Sequence, residues 1–327
     1  MTNVVVFGLG GTISMTADAG GGVVPALSAE QLVAAVPGLA ETGVQVDVVD
    51  FRRIPGASLS FEDLDALAAA IEQRLDGGAD GVVITQGTDT IEETSYLLDL
   101  AHHRDEPVVV TGAMRNPSLA GADGPANLLA AVQTAAAETT RGLGALVVFA
   151  DEIHAAARVR KSHSTSTHTF HSANGGPLGY VVEGEPRIVN RPETRVTLAS
   201  AHDHTKADVA VVPLVFGDTG TALQAVGDRV DGLVVAAFGA GHVPEAVVDI
   251  LTRLTQRIPV VLASRSGAGS VLARTYAFPG SETDMLGRGL ISAGFLDPVK
   301  ARILLCQLLN SGHDRASVKA VFEQAGR

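Results

Sequence analysis

The chain has 327 residues, 46% of them hydrophobic, and a net charge of -12. That length at roughly 100–200 residues per domain points to two domains, each able to bury a sizeable core. A polyanion repels phosphate backbones and anionic lipid, so nucleic acid and membrane surfaces are excluded as favoured partners. No apolar run reaches the roughly 18 residues of a membrane-spanning helix. No basic segment precedes the first apolar stretch, as a secretory signal requires, so a cytoplasmic location is expected. The single cysteine, Cys306, rules out an intrachain disulfide. Aromatics make up only 4% and tryptophan is absent, so Ala, Val and Leu must fill the core.

In chain order, short Val-rich runs alternate with Ala/Leu-rich segments of helical period. Val4–Phe7, Val44–Val49, Val82–Thr85, Val108–Thr111 and Leu146–Phe149 read as buried strands. Between them Ser28–Val36, Phe61–Leu75, Ile91–His102 and Pro125–Thr134 read as helices. Ser28 and Ser60 are candidate N-caps, the second with Asp63 three residues on. From Ile153 to Ala207 the helical period disappears, and a hairpin-bearing extension is expected. A linker spans about 191–207 and separates an N-terminal domain, 1–190, from a C-terminal one, 208–327. The second series comprises strands Asp208–Val212, Gly232–Ala236 and Pro259–Ala263 and helices Pro244–Leu254, Asp297–Leu309 and Ala316–Ala325. Such alternation predicts an α/β fold of two domains, each a mostly parallel sheet flanked by helices, the N-terminal one larger.

In open parallel sheets ligands bind beyond the carboxyl ends of the strands, and the polar residues gather there. The first strand runs into Gly8-Leu9-Gly10-Gly11-Thr12-Ile13. A dinucleotide fingerprint would need glycine in place of Ile13 and a helix after it, and no GxxxxGK[ST] phosphate loop occurs. The glycines instead let backbone approach a ligand closely, with Thr12 presenting its hydroxyl. The third strand runs into Gln86-Gly87-Thr88-Asp89-Thr90, where Thr88 or Asp89 is a candidate cap for the helix at Ile91, with Glu92 and Glu93 in its first turn. That cap does not explain why Gln86, Thr88 and Asp89 crowd one strand end. The fourth runs into Thr111-Gly112-Ala113-Met114-Arg115, and Asp123 and Pro125 look like a helix start. Lysine is scarce, only Lys161, Lys206, Lys300 and Lys319 among 24 basic residues, so Lys161 in a Ser/Thr/His-rich segment stands out. His163, His168 and His171 share that segment; without HExxH or paired cysteines, no metal is expected and the histidines are expected to be solvated or hydrogen-bonded.

The segments Gly10–Ile13, Thr85–Thr94, Thr111–Arg115, Asp123–Asn127, Lys161–Phe170, Gly176–Tyr180 and Gly294–Leu305 resemble, in this order, those of bacterial-type asparaginases and asparaginase/glutaminases. The resemblance runs over nearly the whole chain, and Gln86–Thr94 is its most specific piece. It implies an amidohydrolase that needs no cofactor and acts on asparagine, with glutamine as the alternative substrate. Thr12 would be the nucleophile that forms an acyl-threonine, with Thr88, Asp89 and Lys161 as the second catalytic group. Asp89 would also hold the substrate ammonium and Ser58 its carboxylate. Gly11 and Ala113 would line the substrate site, and Glu282 would come from a neighbouring subunit. A homo-oligomer, dimer or tetramer, with active sites at subunit interfaces is implied.

The chemistry agrees. A threonine hydroxyl needs a base or proton relay, and the oxyanion needs fixed donors, which the N–H groups of Gly11 and Thr88 could supply. Three departures stand out. The loop Ser14–Leu27 lacks the family's tyrosine, and Tyr276, six positions before Glu282, is the candidate replacement as a proton relay. Gln86 stands where many members have histidine, and His242 where relatives often have asparagine. Two rival readings remain: the amidase subunit of a tRNA-dependent amidotransferase, which would carry an extra N-terminal domain, and a catalytically weakened amino-acid-binding protein.

Overall fold

A computed structural model describes residues 2–17, 23–25, 28–198 and 206–327, with backbone only for 14–17 and 23–25. The chain divides into two compact units, residues 1–193 and 194–327. The expected linker falls partly on 199–205, outside the described residues, and 191–198 form neither helix nor strand.

The first unit is built on an eight-stranded sheet. Its strands are β1 (Asn3–Gly8), β2 (Gln45–Asp50), β3 (Gly81–Thr85), β4 (Val108–Thr111), β5 (Ala145–Phe149), β6 (Glu152–Ala155), β7 (Gly179–Val182) and β8 (Glu185–Ile188). In space they run β8-β7-β6-β5-β4-β3-β1-β2. Strands β1 to β5 pair in parallel, and β6, β7 and β8 add antiparallel pairings at one edge. Strands β1, β3, β4 and β5 are buried along nearly their whole length, which is why they read as unbroken apolar runs. The run at 44–49, expected to be buried, is instead the edge strand β2, half-buried, with Gln45 and Asp47 on alternate positions and Asp50 at its end. Pairing on one side only leaves β2 in contact with water.

Helices cover both faces. The helices are α1 (Ala29–Ala34), α2 (Phe61–Asp76), α3 (Ile91–Ala101) and α4 (Gly124–Ala136). Leu32 of α1 and Leu128, Ala131 and Val132 of α4 pack with Val4, Val6, Val83, Val109 and Leu146. Alternation of side chains turns Val5, Phe7 and Ile84 to the opposite face, on the side of α2 and α3. Ser28 and Ser60 cap α1 and α2 with reciprocal capping boxes, to Gln31 and Asp63. Strands β5 and β6 are joined by Ala150 and Asp151, both at positive φ (51° and 62°), as a type I′ hairpin turn requires.

In the second unit β9 (Val209–Pro213), β10 (Gly232–Ala237), β11 (Val260–Ser264) and β12 (Ile291–Ser292) form a parallel sheet in that order. Its helices are α5 (Thr221–Gly227), α6 (Glu245–Thr255), α7 (Glu282–Gly287), α8 (Pro298–Asn310) and α9 (Arg315–Ala325). Val247, Leu251 and Leu254 of α6 pack on Leu233, Val235, Val260 and Leu262, while α8 runs along β9, β10 and β11. Each unit is thus a mostly parallel sheet flanked by helices. The short α5 and α7, too brief to set up an apolar period, were not expected from the sequence. Among the described residues no helix is long and apolar enough to cross a membrane.

Candidate active site

The strand order determines where a ligand can sit. The chain leaves β1 to form β2 on one side and returns to form β3 on the other. Loops after β1 and β3 therefore part around a crevice, the topological switch point of a doubly wound sheet. Thr12 follows β1 in a single 3-10 turn, Thr12–Ser14, and Thr88 follows β3 in another, Thr88–Thr90.

Glycines bring these loops together. A Cβ on Gly11 would lie 2.1 Å from the Gly87 nitrogen, and Gly11 itself sits at φ 89°. A Cβ on Gly56 would lie 3.0 Å from the Gly87 carbonyl, and one on Gly112 would lie 2.5 Å from that of Gln86. Larger residues would hold these backbones apart. Side chains finish the joint. Gln86 Nε2 donates to Thr90 Oγ1 (3.3 Å), which in turn donates to the Gly56 carbonyl (3.1 Å). Ser58 stands exposed at the end of the turn Gly56–Ser58, on that same loop.

Thr88 is buried, whereas the Asp89 side chain is 72% exposed. Lys161 arrives from a two-stranded ribbon in which it pairs with Phe170. Its Nζ donates to Thr88 Oγ1 at 3.0 Å and to Asp89 Oδ1 at 2.6 Å. Its backbone N–H donates to Glu92 Oε2 (2.9 Å). Neither Thr88 nor Asp89 caps α3; its N-cap is Thr90, with no side-chain cap bond. The 3-10 turn takes the two side chains away from the helix N-terminus and toward Lys161. Glu92, read from sequence only as a first-turn acid, anchors the Lys161 ribbon as well.

Ala113 is buried, and a Cβ on Gly124 would lie 3.4 Å from its own. Asp123 starts α4 without capping it; its carboxylate accepts the N–H groups of Met114 and Arg115 (3.0 and 2.8 Å). Asn127, which sequence reasoning passed over, donates to the Gly112 carbonyl (3.0 Å) and accepts from Ala150 N–H (3.0 Å), tying the loop after β4 to the β5–β6 turn. An Asn one turn inside a predicted helix, behind a strand-end loop, was the available signal. The tyrosine-free loop Ser14–Leu27 carries a short hairpin, Met15–Ala17 with Val23–Pro25; residues 18–22 and 26–27 lie outside the described residues.

Glu282 and Tyr276 belong to the second unit. Glu282 begins α7, fully buried, and its Oε1 accepts the N–H groups of Thr275 (3.0 Å) and Tyr276 (2.9 Å). Burial pushes its pKa up, but the Tyr276 and Thr275 donors outweigh burial and hold it below the ordinary carboxylate value. The carboxylate thus grips the backbone of Tyr276. The half-exposed Tyr276 ring meets the His242 ring edge-on at 4.7 Å, and His242 Nε2 lies 3.3 Å from Glu282 Oε2. Of the histidines beyond Lys161, His163 Nδ1 accepts the N–H groups of Thr165 (3.1 Å) and Ser166 (3.0 Å). His168 and His171 gather instead near Glu152.

Known proteins match this chain along its length. The family described as "Asparaginase, N-terminal" matches residues 3–194, and "Glutaminase/Asparaginase C-terminal domain" matches 208–322. A probable L-asparaginase of Deinococcus radiodurans is 37% identical over 96% of this chain and 95% of its own. L-asparaginase 2 of Escherichia coli is 33% identical over 99% of this chain and 93% of its own. The crystal structure of a probable cytoplasmic L-asparaginase from Campylobacter jejuni superposes with a TM-score of 0.88 at 32% identity, covering 99% of both chains.

Proposed function

The chain belongs to the asparaginase family, and from that premise we propose that it is an L-asparaginase, an amidohydrolase that converts L-asparagine to L-aspartate and ammonia. The observation that carries the reading is the cation of Lys161 bonded to both Thr88 and Asp89, on a loop packed against the one that presents Thr12. Thr12 is the nucleophile: its hydroxyl oxygen attacks the side-chain amide carbon, ammonia leaves, and water hydrolyses the acyl-threonine. Lys161 lowers the cost of negative charge on Thr88 as a proton is moved or water is activated. The N–H groups of Gly11 and Thr88 take the oxyanion.

Asp89, exposed beside Lys161, holds the substrate ammonium, Ser58 its carboxylate, and Ala113 backs the pocket. Glu282 and Tyr276 serve the site from a neighbouring subunit of a homo-oligomer. The exposed Tyr276 and Phe278 rings, adjacent at 6.0 Å, support an assembly, which light scattering of the purified protein tests. A cytoplasmic location is supported by the likeness to the probable cytoplasmic L-asparaginase of Campylobacter jejuni, and cell fractionation tests it. Ammonia release from asparagine, with glutamine in parallel, tests the activity. Asparagine is preferred by about tenfold or more in kcat/KM, the discrimination one methylene affords. No release from either amide overturns the reading and leaves a binding protein.

A further inference from the structure

Glu152 of β6 and His168 and His171 of the Lys161 ribbon take no part in the site above, yet each turns one metal-ligating atom to a common point, all within 4.8 Å of one another. Glu152 Oε2 lies 3.4 Å from His168 Nε2. A charge-assisted hydrogen bond between them would close to about 2.7–2.9 Å. Two ligands on one tetrahedral ion, each about 2.0–2.1 Å from it, stand about 3.3–3.4 Å apart. The spacing is that of two ligands around an ion.

A second observation points to the same place. The His154 side chain is only 1% exposed, and its Nε2, 3.3 Å from the same Glu152 oxygen, has no hydrogen-bond partner. Its other nitrogen, Nδ1, is engaged with Ser172 Oγ at 3.0 Å. The ring is thereby held with Nε2 aimed at Glu152, where a small closure of the 3.3 Å gap would give a ligating carboxylate the outer hydrogen bond that orients it. His168, 53% exposed, opens the cluster to solvent, so an ion has an entry path.

We propose that Glu152, His168 and His171 form a binding site for a divalent transition cation of the Zn2+ class, with His154 positioning Glu152. Two imidazoles and one carboxylate suit Zn2+ and its neighbours rather than Mg2+ or Ca2+, which prefer all-oxygen sets. The ion is structural: it ties the ribbon that carries Lys161 to β6, away from the reacting atoms.

Calorimetric titration of chelator-treated protein with Zn2+ tests this. One Zn2+ per chain binds in the micromolar range, and His168→Ala and Glu152→Gln each weaken it by at least about tenfold. His168 is half-exposed, so its replacement spares the fold, which circular dichroism checks. Absence of uptake by the native chain at millimolar Zn2+ overturns the proposal. So does a His168→Ala variant that binds as the native chain does.

Discussion

Replacing Lys161 by methionine removes a charge while keeping the length of the side chain. The backbone N–H of residue 161 still reaches Glu92, so the ribbon stays in place. A unit charge developing on Thr88 Oγ1, 3.0 Å from Nζ, is attracted by about 5.5 kcal/mol at an effective dielectric of about 20. That is an upper figure of roughly four powers of ten in rate. Asp89, 2.6 Å from the same ammonium, already neutralises part of the cation, and solvent at its exposed side screens the rest. The expected loss in kcat is therefore roughly 10²–10⁴-fold, its lower part matching the roughly 10²–10³-fold loss on removal of one oxyanion donor. KM for asparagine should move by less than about tenfold, because the charge that Lys161 meets arises only in the transition state. Steady-state ammonia release measures both. A large rise in KM with kcat unchanged would refute the reasoning and make Lys161 a binding residue.

Thr12→Ala and Thr88→Val should each lower kcat by at least about 10³-fold, with the Tm nearly unchanged; near-normal turnover in either withdraws its role. Gly11→Ala should destabilise the protein by about 1–3 kcal/mol from the positive φ alone. The clash with Gly87 adds to this and should abolish activity, which denaturant unfolding and the ammonia assay follow together; a variant of native stability would mean that the two loops do not touch. Acid stability gives a fourth check. The N–H of Ala29, then Arg53, hold the Asp50 carboxyl below its usual range. A depressed folded pKa makes its contribution complete above the unfolded value near 3.8 and lost as pH falls through the folded one. Asp50→Asn should therefore flatten the fall in stability below about pH 4, and an unchanged acid limb in urea unfolding would contradict this.

The fold was legible because its strands are buried on both faces and its helices carry long apolar periods. Val82–Ile84 and Val108–Val110 could hardly be anything else, and Ser28 and Ser60 act as the caps their neighbours suggested. Misreadings arose where local pattern and tertiary role part. Val44–Val49 looks like a core strand, but its alternate polar residues mark an edge, and only pairing partners could decide that. Segments such as Glu282–Gly287 are too short for period to speak, and Glu282 is held by backbone donors and by burial that no spacing announces.

The site was legible as a set of residues but not as a mechanism for gathering them. Sequence placed Thr12 and Thr88 at strand ends; it did not order the strands. Once β1 lies between β2 and β3, the two threonines must face one crevice, and the remaining question is how near they can come. Gly11, Gly56 and Gly87 answer it, since each lies where a Cβ would meet another loop's backbone at 3.1 Å or less. Glycine in this site therefore acts less as a hinge than as an absence, letting three loops share a space meant for two. Polar crowding at Gln86–Asp89 follows from the same demand. With no room for bulk, the joint is closed by hydrogen bonds from Gln86 and Thr90, and the Thr88 and Asp89 side chains are left to Lys161. A residue that looked like a helix cap is thereby turned away from its helix. That is the physical reason local capping rules failed at this strand end and held at Ser28 and Ser60, where no second loop competes for the side chain.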